Sequence, residues 1–106
     1  MAKFMIKASY TADGTKGLLK EGGSSRKAVV EKMVRGAGGK LESFYFAFGE
    51  SDVVSIVDLP DAATAAAMSI SINASGAVNL SMIPLMTPED VDLACKKSVK
   101  YQAPGK

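Results

Sequence analysis

The residues from Gly38 to Asp61 constrain this chain more than any others. They read Gly-Gly-Lys-Leu-Glu-Ser-Phe-Tyr-Phe-Ala-Phe-Gly-Glu-Ser-Asp-Val-Val-Ser-Ile-Val-Asp-Leu-Pro-Asp. Leu41 to Phe48 is aromatic and extended in character, and Val53 to Leu59 is β-branched and apolar. Gly49, Glu50, Ser51 and Asp52 between them are turn formers, and the combination predicts a β-hairpin. No Asn-Gly pair is present, so a longer turn through Gly49 is expected. Strict alternation puts Leu41, Ser43, Tyr45 and Ala47 on one face, and Glu42, Phe44, Phe46 and Phe48 on the other. A strand with one wet face alternates more cleanly, so both sides of this hairpin are expected to be covered.

The flanking segments supply the rest of a small α+β domain. Phe4, Ile6, Ala8 and Tyr10 share one face of a first strand over Lys3 to Tyr10. Thr11 to Gly23, punctuated by Asp13-Gly14 and Gly22-Gly23, reads as a linker with one short helical turn at Leu18 and Leu19. Ser24 or Ser25 caps a helix to about Arg35, whose buried stripe is Val29, Val30, Met33, Val34 and Ala37. Arg26, Lys27, Glu31, Lys32 and Arg35 fall mostly off that stripe. After the hairpin, Asp61 caps an alanine-rich helix from Ala62 to about Asn73, and Ser75-Gly76 ends it. Ala77 to Met86 is the last strand, with Pro84 favouring an edge or a bulge. Thr87-Pro88-Glu89-Asp90 starts a final helix, with Val91, Ala94, Cys95 and Ser98 as a short apolar stripe.

The order β-α-β-β-α-β is that of a ferredoxin-like sandwich, two helices on one face of a four-stranded sheet. The length of 106 residues suits one domain, 1–106, with a core at about 3–86 and a helix and basic tail at 87–106. Apolar residues on both strand faces argue that a partner copy covers the second face, giving a homodimer or higher homo-oligomer.

At this point the chain resembles the GYD-domain family, small proteins of the dimeric α/β-barrel type. The resemblance runs to about residue 90. It rests on Tyr10-Thr11 with Gly14 and Gly17, Gly38-Gly39-Lys40 leading into Phe44-Tyr45, Gly49 to Val54, Leu59-Pro60-Asp61, and Gly76. The family's Gly-Tyr-Asp turn reads Gly-Glu-Ser-Asp here, so Ser51 stands at the tyrosine position and Asp52 at the aspartate. Any role of that ring is absent from this chain. What the resemblance implies is fold and pairing: a ferredoxin-like sandwich forming a dimeric α/β barrel, with an extra C-terminal helix. It carries no general reaction onto named residues. Related barrel families include haem-degrading and quinone-forming monooxygenases, an analogy of fold alone.

Composition narrows the chemistry. The chain has no histidine and one cysteine, Cys95. Ser-His-Asp and Cys-His mechanisms, histidine-ligated haem and His-bearing zinc sites are therefore excluded, as is an intrachain disulfide. Cys95 reads as a small apolar residue of its helix. Glu50 with Asp52, and Asp58 with Asp61, read as turn and cap residues, so no metal or other cofactor is expected. Gly36 to Lys40 follows a helix instead of preceding one, so it is a helix end and not a phosphate loop. The net charge of +2 is a property of the tail, where Lys96, Lys97, Lys100 and Lys106 stand without an acid. Such a tail is most simply a solvated terminus, and nucleic acid is not expected as a partner. Nothing reads as a secretory or membrane segment, so a cytoplasmic location and no membrane partner are expected.

Three roles remain. The first is a binding or assembly module for a small apolar or aromatic ligand. Candidate pocket residues are Tyr10, Phe44, Tyr45, Ser55, Asn79 and Met82, with Ser81 near them. The second is a cofactor-independent oxygenase or isomerase of a small carbonyl or phenolic compound, with Tyr10 and Tyr45 as its acid–base candidates. An unshifted tyrosine is a poor base at neutral pH, and strict alternation separates Glu42 from Tyr45. The third is a purely structural oligomer in which these hydroxyls satisfy one another.

Overall fold

A computed structural model describes residues 1–106. The chain runs β1 (Ala2–Tyr10), α1 (Ala12–Glu21), α2 (Gly23–Gly36), β2 (Lys40–Phe46), β3 (Val53–Leu59), α3 (Ala62–Ala74), β4 (Val78–Pro84) and α4 (Pro88–Lys96). The four strands form one sheet in the order β2-β3-β1-β4. Each neighbouring pair is antiparallel. That is the ferredoxin-like order the sequence pattern predicts, and Pro84 does lie on an edge strand, where a missing N–H is tolerated.

The barrel expectation fails. The sheet is open, with β2 and β4 as its unjoined edges. A closed barrel with a side-chain-filled interior takes about eight strands, and the four here leave β2 and β4 unpaired on their outer sides. The β4 edge is instead blunted locally. Asn73, on α3, accepts from Leu80 N at 2.7 Å and donates through Nδ2 to Leu80 O at 3.1 Å. One side-chain amide thus occupies both backbone groups that a further strand would use.

The segment Thr11 to Gly23 holds a full helix, α1, where the sequence suggested a linker. Thr11 caps it, accepting from Gly14 N at 3.3 Å, and Gly22, at φ +82°, breaks α1 from α2. The cap predicted at Ser24 or Ser25 does not form, since α2 starts at Gly23 with Gly22 as its N-cap and no side-chain cap bond, whereas the caps predicted at Asp61 and Thr87 hold. Asp61 accepts from Thr64 N at 2.8 Å, and hydrogen bonding from the Thr64 side chain first, then from its backbone, lowers the Asp61 pKa. Thr87 and Asp90 form a reciprocal capping box at α4.

The hairpin carries a feature that alternation missed. The register against β3 shifts between Leu41 and Ser43, so Glu42 sits in a β-bulge. Leu41 pairs with Val57, then Phe44 with Ser55 and Phe46 with Val53. The extra residue therefore puts Leu41, Phe44 and Phe46 together on the helix-covered face. Ser43 and Tyr45, paired with Ile56 and Val54, turn to the open face. The expectation that Glu42 and Tyr45 oppose each other is overturned, because the bulge leaves both on the open side. There Glu42 and Asp58 pair with Lys3 Nζ at 2.5 and 3.1 Å, and these bonds raise the Lys3 pKa. Ser55, buried beneath the bulge, donates to Ser43 O at 2.8 Å.

The hairpin turn is tied to β1 by Asp52. Its N–H donates to Ala8 O at 2.8 Å, and its carboxylate accepts from Tyr10 N at 2.8 Å. Asp52 thus extends the β1–β3 ladder past its last backbone pair.

One sheet face alone is covered within the chain. α2 lies over β2 and α3 over β4, and the core is Phe4, Ile6, Ala8, Val34, Val53, Val57, Leu59, Ala65 and Met68. The other face, with Met5, Lys7, Val54, Ile56, Tyr45 and Ile83, carries no helix, so the expectation of cover on both sides is met on one side only. α4 contributes no buried residue. It projects with the tail, and the radius of gyration is 16.9 Å, against about 13 Å for a compact chain of this length.

Candidate functional site

Because α2 and α3 sit over opposite edges, the middle of the sheet is roofed incompletely. A cavity of about 110 Å³ lies there. Its floor is Ile6, Ala8, Val53, Ser55, Val78 and Leu80 from the sheet, with Phe44 from β2. Val29, Val30 and Met33 of α2 and Ile72 of α3 form its walls, and Tyr10 and Arg26 supply polar atoms. Of the thirteen lining residues eleven are hydrophobic. An apolar recess with a few convergent polar groups is the usual form of a small-molecule site.

The polar groups differ in what they have left to offer. The Ser55 hydroxyl already donates to Ser43 O. The Tyr10 pKa is raised, chiefly by burial, with Glu21 and Asp52 adding to the rise and the Arg26 cation opposing it. The phenol is therefore protonated at neutral pH and can donate. Arg26 Nε is shielded from solvent and lies 3.1 Å from Glu21 Oε1, without the alignment of a hydrogen bond. Neither Tyr10 nor Arg26 is a base at neutral pH, and no carboxylate lines the cavity.

The six sequence candidates divide. Tyr10, Phe44 and Ser55 meet at the cavity. Met82 shares the covered face and packs against the core beside it. Tyr45 and Asn79 lie on the open face, opposite Val54 and Ser9, and on opposite edges of the sheet. Ser81, opposite Lys7, joins Asn79 there. Tyr10 and Tyr45 thus face away from each other, so they cannot act on one substrate within one subunit.

Arg26 is the functional candidate that the sequence reading passed over. The sequence pattern groups it with residues mostly off the buried stripe of α2. Yet it stands three, four and seven residues before Val29, Val30 and Met33, which is the same helical face. That spacing was the available signal.

An aromatic row borders the site. Phe44 meets Phe46 edge-on at 5.3 Å, and Phe46 stacks on Phe48 at 5.7 Å. Phe48 holds a left-handed φ of +54° in the turn, and its ring is exposed. Cys95 is exposed on α4 instead of packed, as no residue of α4 is buried. No group of three or more His, Cys, Asp or Glu side chains is placed to hold a metal ion. No helix is long and apolar enough to cross a membrane. A family model described as GYD domain matches residues 4–94. No curated protein and no solved structure matches the chain.

Proposed function

The chain belongs to the GYD domain family, and from that premise we propose that it is a binding module for a small, largely apolar or aromatic ligand seated between α2, α3 and the sheet. The observation that carries this reading is the cavity of about 110 Å³ with its apolar lining. Its size is of the order of an engineered cavity, about 150 Å³, that takes benzene, so one ring is the fitting occupant. The absence of a neutral-pH base among the lining groups favours binding over the oxygenase or isomerase reading. Toluene is the simplest probe. Saturating toluene is expected to raise the melting temperature by several degrees, since a ligand at about 100 times its Kd adds about 2.7 kcal/mol. Ile72→Phe, which places a ring in the same space, is expected to remove that response while the free protein melts no lower. A toluene response equal in the two proteins contradicts the site.

A second reading concerns assembly, and the bare sheet face favours it. Four strands of about seven residues present roughly 450 Å², below the roughly 800 Å² per partner of a stable interface. The projecting arm carries Met86, Val91, Leu93, Val99 and Tyr101, all exposed. A second copy that meets both the face and the arm reaches the area that the face alone lacks, with each sheet remaining open. Light scattering at micromolar concentration is expected to give twice the chain mass, and removal of residues 87–106 to shift the balance toward monomer. A full-length chain that stays monomeric at about 100 µM contradicts this reading.

A further inference from the structure

Resting on the cavity as the ligand site, we propose that its ligand is an organic anion, a single ring bearing one carboxylate, held by Arg26 with Tyr10 as a second donor. A guanidinium has five N–H donors in a fixed fork. Here Nε is shut from solvent and out of line with the Glu21 carboxylate. Nε is the covered part of a side chain that is 29% exposed, a buried N–H without an aligned acceptor is unfavourable, and the cation's protein partner is Glu21, an exposed residue at the last position of α1. A ligand carboxylate can take both arms of the fork at once, which Glu21 does not do.

The surroundings fit an anion. Arg26 lies one turn into α2, whose N-terminal N–H groups favour negative charge, and the first turn of α2 has no acid. The Tyr10 hydroxyl stays protonated and so donates. Glu21 and Asp52 are the anions near Tyr10, and neither lines the cavity. The apolar floor takes the ring, and the charged head stays at the rim beside Arg26.

Benzoate and benzyl alcohol, alike in ring size and different in charge, separate this inference from the broader one. Calorimetric titration at low salt is expected to show benzoate binding about tenfold tighter than benzyl alcohol, as one charge-assisted contact predicts. Arg26→Met should erase that preference and leave benzyl alcohol binding in place. Glu21→Gln, which keeps Arg26 and frees it from its protein partner, should tighten benzoate alone. Equal affinity for the two probes in the native chain, or a preference that survives Arg26→Met, overturns the anion while the cavity reading stands. Binding of neither probe overturns both.

Discussion

Gly39→Ala is expected to cost about 3 kcal/mol of stability, the upper end of overpacking effects, and to do so through the backbone. A Cβ at this position would lie 2.3 Å from Asp58 O and 2.8 Å from Leu59 Cδ2. Asp58 O belongs to β3, a strand paired on both sides, so the oxygen cannot move aside without breaking the sheet. Val34, with Cγ1 at 3.2 Å, is fully buried and closes the remaining escape. Gly39 is the point where α2 ends and β2 begins, and its N–H donates to Val34 O at 2.9 Å. Gly36→Ala is the control: nothing lies within 4 Å of its added methyl group, and an alanine in a helix end is neutral or mildly stabilising. Urea unfolding of both variants checks the contrast. A Gly39→Ala loss below about 1 kcal/mol contradicts the packing of α2 against β3.

Leu59→Ala is expected to cost about 3–4 kcal/mol, in the range for a leucine with no room to collapse. Leu59 has no solvent exposure, and Val34 and Val57 share that condition, so the hole left behind has rigid walls. The same deletion at the cavity behaves differently. Val30→Ala borders space that is already empty and is expected to cost about 1 kcal/mol, near its transfer free energy alone. Equilibrium unfolding of the pair gives the ratio. Equal losses would mean that the cavity wall is as tightly packed as the core, and the recess would then not exist in solution.

The fold was legible wherever local chemistry acts on neighbours. Asp61, Thr87 and Asp90 announced helix starts, because a short side-chain oxygen three residues before a free N–H has one obvious use. Tyr10, Phe44 and Ser55 were found through strand alternation and do meet at the cavity. Tyr45 and Asn79 fall on the open face, as alternation from Phe44 and Met82 itself requires, and the residues that alternation misplaces are Leu41 and Glu42. Faces along one strand follow from a period of two, but a bulge changes the phase, and the bulge at Glu42 is a property of the pairing with β3 and not of β2 alone. The open sheet likewise depends on curvature across strands, to which no single segment testifies. Arg26 was hidden by its charge. A cation is expected on the wet side of a helix, and its long stem lets it border an apolar recess all the same.

A ring is expected to bind on the helix side of the sheet. Backbone amide spectra recorded during a benzoate titration test it residue by residue. The expected shifts cluster at Tyr10, Arg26, Val30, Phe44 and Leu80, while Tyr45, Asn79 and Ile83 on the open face stay still. Shifts confined to Tyr45, Asn79 and Ile83, or no saturable shift at any amide, would contradict that expectation.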